Sequence, residues 1–169
     1  MKILFIGPQG SGKSTQGKLL AQFLGLPYIS TGDIFRQDRG EIKQILDQGK
    51  LVDDQTTSKI VKEKLKELRY ANGFVFDGYP RTLEQVRLFD PGYDEVISLE
   101  ISDDIATERL LARGREDDTK ELIAERLKNY HLQTDPMLDF YKQKGILTQI
   151  DGLGNIEEIQ KKIRDLVNG

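Results

Sequence analysis

Short apolar runs alternate with helical stripes along the chain. Ile3-Leu4-Phe5-Ile6 is continuous and apolar, so Lys2–Ile6 reads as a buried strand. Ser14–Leu24 then carries Leu19, Leu20 and Phe23 on one helical face, and Pro27–Ser30 reads as a short strand. Thr31–Asp38 and Glu41–Gln48 read as two short helices, separated by Gly40 and closed by Gly49. Asp53 or Asp54 caps a helix running to about Leu68.

Phe74–Asp77 is a second apolar strand between Gly73 and Gly78, and Thr82–Phe89 is helical. Glu95–Ile101 is a strand, and Asp103–Arg113 a helix ending at Gly114. Thr119–Gln143 is a long helix, expected to kink at Asp135-Pro136. Gly145–Asp151 is the last strand. Ile156, Ile159, Ile163, Leu166 and Val167 give the final helix one apolar face. Short strands that are apolar on both faces and separated by helices predict an α/β fold. In it, helices cover both sides of a parallel sheet.

Composition narrows this reading. The 169 residues fit one domain, and 37% hydrophobic with 31% charged residues reads as globular and soluble, not disordered. The first apolar run is too short for a membrane span. A net charge of −3 disfavours a general nucleic-acid binder. Cysteine is absent, which excludes disulfides and thiolate metal sites and suits a reducing cytosol.

Gly7-Pro8-Gln9-Gly10-Ser11-Gly12-Lys13-Ser14-Thr15 fits G-x-x-x-x-G-K-[ST], between a strand and a helix. Glycines let successive N–H groups turn onto one phosphate, and the helix N-terminus adds partial positive charge. Lys13 is expected to reach the outer phosphates and Ser14 to face Mg²⁺. Gly10, Ser11, Gly12 and Thr15 complete the cradle. The loop establishes nucleotide phosphate binding and leaves kinase, ATPase and GTPase open.

Arg36 and Arg81 follow different strands, at the sheet end where ligands sit in open α/β folds, and can fork onto a second phosphate. Asp77 ends a strand beside the loop, as a Mg²⁺ carboxylate or a turn cap. Arg109 and Arg113 share a helix face, and Arg115 and Arg126 follow. Each alone reads as a solvated residue partnered by Glu108, Glu116 or Glu125. Together they read as stabilisers of a charge-spreading transition state. His131, the one histidine, reads as structural or exposed.

In these motifs and their order the chain resembles the adenylate kinase family. They comprise the loop, Ser30-Thr31-Gly32-Asp33 with Arg36, Gly49-Lys50-Leu51-Val52, and Gly73 through Thr82 with Gln85. Arg109, Arg113, Arg115-Glu116-Asp117-Asp118, Arg126-Leu127 and Ile150-Asp151-Gly152 follow. The resemblance implies a P-loop kinase fold in one domain over 1–169. It carries a short nucleoside-monophosphate insert at about 30–59 and a minimal lid at about 113–118. Its implied reaction is Mg²⁺-dependent transfer from ATP to AMP by a cytoplasmic monomer, without zinc, nucleic acid or membrane.

The resemblance places Arg109 on the ATP adenine. Lys13, Arg81, Arg113, Arg115 and Arg126 act on the transferring phosphate. Thr31, Arg36, Lys50, Leu51, Val52, Gly78, Arg81 and Gln85 hold AMP. Thr31 also reads as a helix cap. Asp117 and Asp118 either position the arginines or cap the helix beginning near Thr119. Thr31 and Thr82 favour AMP, because pyrimidine-specific relatives carry Ala and Asn there. The alternatives are a UMP/CMP kinase, a P-loop ATPase and a nucleotide-sensing module. Asp151-Gly152-Leu153-Gly154 fits the D-x-x-G pattern of GTPases but follows the last strand. The family's longer lid insert is reduced here to Gly114.

Overall fold

The computed structural model describes residues 1–37, 40, 42, 52–114 and 118–168. Five strands form one parallel sheet: β1 (Lys2–Ile6), β2 (Tyr28–Ser30), β3 (Phe74–Asp77), β4 (Glu95–Glu100) and β5 (Leu147–Asp151), in the order β2-β3-β1-β4-β5. Phe5 pairs in register with Asp77 and with Ile97. The ends of β1 and β3 therefore lie side by side, and the loops that follow them meet.

Side-chain alternation along each strand builds two cores. Leu4, Ile6, Phe74, Phe76 and Val96 point to one side, where Val61, Val86, Met137 and Tyr141 cover them. Ile3, Phe5, Val75, Ile97 and Leu99 point to the other, against Leu20, Ala21, Ile159 and Ile163. The second group of helical residues lies on α1 (Lys13–Leu24) and α8 (Ile156–Asn168). The first lies on α3 (Asp54–Lys64), α4 (Leu83–Leu88) and α7 (Asp135–Gln143). Fully burying an aliphatic side chain of this size contributes about 1.5–3 kcal/mol. Two apolar sheet faces thus make helices on both sides obligatory. α2 (Thr31–Gln37) leaves β2 directly, while α5 (Asp103–Arg113) and α6 (Lys120–Asn129) pack together through Ala106, Leu110, Ile123 and Leu127.

Several boundaries differ from the sequence reading for local reasons. Pro27 has no N–H, so it joins the sheet only by its carbonyl, which accepts from Val75 N at 2.9 Å. The helix expected to reach Leu68 stops at Lys64. Lys66 N turns back to Glu63 O, and a 3₁₀ turn at Leu68–Tyr70 buries Tyr70 and leaves Leu68 outside. The expected kink in the long helix is a π turn over Tyr130–Thr134, and Pro136 sits in the first turn of α7. Proline cannot donate into the ladder, so the helix opens just before it. Apart from Ile42, the helix expected over 41–48 lies outside the described residues. Among the described residues no helix is long and apolar enough to cross a membrane.

Candidate active site

A cleft of about 590 Å³ opens at the carboxyl ends of β1 and β3. On one wall the phosphate loop leaves β1. Gly7 lies so close to β4 that a Cβ there would stand 2.5 Å from the Leu99 carbonyl oxygen, and its φ is +144°. Only glycine lets the loop begin here. Gly10, Gly12, Lys13, Ser14 and Thr15 line the cleft, while Ser11 is buried behind it. Lys13 Nζ donates to the Pro8 carbonyl at 2.6 Å, so the ammonium already lies over the loop. Burial lowers its pKa to about 8; Asp77 counteracts this and Arg81 adds to it.

Ser14 Oγ donates to Asp77 Oδ2 at 2.5 Å, and the Tyr28 hydroxyl donates to the same oxygen at 3.1 Å. Burial first, then the Asp77 charge, raises the Tyr28 pKa, so the hydroxyl stays a donor. A hydroxyl and a carboxylate in contact beside a phosphate loop fit Mg²⁺, which takes one or two carboxylates and completes its shell with water and phosphate oxygens. Among the described residues no group of three His, Cys, Asp or Glu side chains is arranged to hold a metal unaided.

The facing wall carries the second pair of predicted arginines. Arg36 lines the cleft from α2, and its Nη2 donates to Asp33 Oδ1 at 2.5 Å. Burial would raise the Asp33 pKa, but the hydrogen bonds from Arg36 and Ser30 outweigh it and lower it. Ser30 Oγ caps α2 by accepting from Asp33 N at 3.0 Å. Thr31 is therefore not the cap. Its hydroxyl donates to the Gly78 carbonyl at 2.8 Å and joins α2 to the loop after β3. Gly78 has φ +96°, and a Cβ on it would meet Arg81 Nη2 at 3.0 Å. Arg81 folds over that bare backbone, its Nε donating to Gly78 O at 3.0 Å.

Helices α5 and α6 supply the third wall. Arg109 donates to Gly10 O at 3.3 Å and to Gly152 O at 3.1 Å, tying the phosphate loop to the turn after β5. The D-x-x-G segment is thus a structural turn, with Asp151 Oδ1 accepting from Leu153 N. Asp118, whose side chain is fully buried, takes Arg113 in a two-pronged bond and receives Arg126 Nη1 at 3.4 Å. Thr119 caps α6 instead, accepting from Leu122 N. The choice left open for Asp118 is settled: it holds the arginines.

Among the described residues lining the cleft, six cations face one carboxylate, in a chain of net charge −3. Field lines focus in such a cleft and favour anions. Some expected residues stand elsewhere. Lys50, Leu51 and Arg115 lie outside the described residues, as do Glu116 and Asp117. Val52 and Gln85 are described but do not line the cleft. The Gln85 amide is engaged inside the protein, accepting from Arg81 N at 2.7 Å and donating to Asp54 Oδ1 at 2.8 Å. Sequence reasoning missed Tyr28, Asp54 and Thr134. It also passed over Ser30-x-x-Asp33, a capping-box spacing that would have revealed the support for Arg36.

A family model described as adenylate kinase matches residues 5–146. An adenylate kinase of Bifidobacterium longum (strain NCC 2705) is 42% identical over 181 residues, spanning 96% of this chain and 97% of that protein. One of Rhodococcus erythropolis (strain PR4 / NBRC 100887) is 39% identical, spanning 96% of each. One of Trichodesmium erythraeum (strain IMS101) is 39% identical, spanning 99% of this chain and 98% of that protein.

Proposed function

The chain belongs to the adenylate kinase family, and from this we infer that it transfers the terminal phosphoryl group of ATP reversibly to AMP, giving two ADP. One observation carries the reading: two cationic phosphate-binding surfaces, the loop and the Arg36–Arg81 pair, face each other across a single cleft. An ATPase needs only the first. Neither the relatives nor the cleft supports the alternatives of a UMP/CMP kinase or a sensing module.

In the proposed assignment, loop N–H groups and Lys13 hold the ATP phosphates, and Arg109 faces the donor base. Arg36 and Arg81 grip the AMP phosphate, with Thr31, Gly78, Val52 and Gln85 shaping its pocket, together with Lys50 and Leu51. Arg113 and Arg126, fixed by Asp118, neutralise charge as it spreads over the transferring group, with Arg115 added from the sequence motif. The acceptor phosphate oxygen is already ionised at neutral pH, so the reaction needs positioning and charge stabilisation more than a protein base. Asp77 and Ser14 would hold Mg²⁺ beside the donor phosphates, where its charge would offset the negative charge that develops there.

We further propose that it acts as a monomer in the cytoplasm, on small-molecule nucleotides and without nucleic acid or membrane. We assign the 30–59 region to the acceptor insert and the 113–118 region to a minimal lid. ADP formation from MgATP, with AMP, CMP, UMP and GMP offered separately, tests the function. AMP-dependent ADP is expected, whereas equal ADP without acceptor would mean an ATPase. The same control tests the lid. A full-lid relative excludes water better, so this chain is expected to show the higher ratio of hydrolysis to transfer.

A further inference from the structure

Arg81 is held at both ends of its own backbone. Gln85 Oε1 accepts from its amide N at 2.7 Å, and Thr134 Oγ1 donates to its carbonyl at 3.0 Å. The guanidinium is then turned back onto Gly78 O through Nε. Gln85 lies four residues away in the next helix, but Thr134 arrives from a separate arm, 53 residues along the chain.

The local backbone is built for that reach. Thr134 ends the π turn, in which Asp135 N donates to Tyr130 O, one residue further back than in an α-helix. Such single π turns recur at functional sites. A threonine in a helix ordinarily turns its hydroxyl back onto a carbonyl of its own helix. Thr134 instead spends its donor on Arg81 and lines the cleft. The same arm carries Arg126 on α6, with Asp118 just before that helix. The hydrogen bond therefore joins the third wall, which carries the arginine cluster, to the wall that carries Arg81.

We propose that Thr134 is a positioning residue for phosphoryl transfer: its hydroxyl fixes the Arg81 peptide and sets that guanidinium in register with the Arg113–Asp118–Arg126 cluster. The proposal rests on the assignment of Arg81 to the acceptor phosphate. Thr134 is half-buried, so an isosteric valine changes its hydrogen bond and little of its packing.

The test is steady-state kinetics of T134V, T134S and T134A, with melting curves for each, in wild-type and R81K backgrounds. T134V is expected to lower kcat/KM for AMP about tenfold, about 1.4 kcal/mol. The KM for ATP and the melting temperature should stay near wild type, and T134S should keep at least about half the activity, since it keeps the donor. In the R81K background T134V should cost under about twofold, because the group it positions is already displaced. If T134V is poorly folded, T134A carries the same comparisons. Activity of T134V within twofold of wild type, T134S as impaired as T134V, or a full tenfold loss retained in R81K would each overturn the proposal. R81K with unchanged turnover would instead remove Arg81 from the site, and this inference with it.

Discussion

The Asp118 carboxylate takes Arg113 in a two-pronged bond, Nε to Oδ2 at 2.8 Å and Nη2 to Oδ1 at 2.7 Å, from a side chain that solvent does not reach. Arg126 shares Oδ1 at 3.4 Å. One buried anion thus keeps two cations close together and aimed at the cleft, despite their mutual repulsion. Breaking a buried pair costs about 3–5 kcal/mol. Both arginines are about one-third exposed, and solvent screening brings the expected loss for Asp118→Ala to about 2 kcal/mol. Turnover should fall at least about tenfold even where the protein is fully folded, because the arginines lose their common anchor. Urea unfolding and kcat measured together check this. A stability loss with unchanged kcat would make Asp118 purely structural.

Ser14 and Asp77 lie 2.5 Å apart through a hydrogen bond that a bound cation would replace. Asp77→Asn should lower kcat by about 10²-fold, several kcal/mol being the usual worth of a catalytic metal's charge. Part of that activity should return at high Mg²⁺. Ser14→Ala should mainly raise the Mg²⁺ concentration giving half-maximal rate. A Mg²⁺ titration at fixed ATP distinguishes the two. Identical titration curves for all three proteins would remove the pair from the metal site.

Burial holds the Lys13 pKa down to about 8, with Arg81 adding to the effect and Asp77 opposing it. Near pH 8 about half of the free protein carries Lys13 neutral, and phosphate binding restores the ammonium. MgATP binding should therefore take up about half a proton at pH 8 and about a tenth at pH 7. Calorimetry in two buffers of different ionisation enthalpy reads this directly. Uptake that is the same at both values, or that persists in Lys13→Met, would contradict it.

His131 meets Asp135 Oδ2 with Nδ1 at 2.8 Å and Asp103 Oδ1 with Nε2 at 2.9 Å. Two acceptors facing both ring nitrogens demand the doubly protonated ring. The hydrogen bonds to Asp103 and Asp135 raise its pKa, and slight burial opposes them. A raised folded-state pKa gives stability that is fully present below about 6.5, the unfolded value, and is lost as pH rises through the folded value. The melting temperature of wild type should therefore exceed that of His131→Gln most at pH 6, and the gap should shrink as pH rises above about 6.5. The ring is half exposed, so salt should reduce the gap. A gap that widens with pH would reverse the sign and exclude the ion pairs as its origin.

Much of the site was legible because its chemistry is local. The phosphate loop needs glycines, a lysine and a hydroxyl at fixed spacing between a strand and a helix. Arg109 and Arg113 declare a shared face by standing four apart. Asp53, one of the two caps the sequence offered, caps its helix within three residues by accepting from Thr56 N. Pattern alone therefore determined the alternation of strands and helices, the parallel sheet and the phosphate-binding end of the molecule. Sequence order did not determine which supports meet across the fold. Thr31 with Gly78, Tyr28 with Asp77, Asp54 with Gln85 and Thr134 with Arg81 are joined by single hydrogen bonds between residues 31 to 53 positions apart. A hydrogen bond between distant residues leaves no period in the chain. It becomes possible only after apolar burial has fixed the sheet register and brought the two backbones within about 3 Å of donor and acceptor.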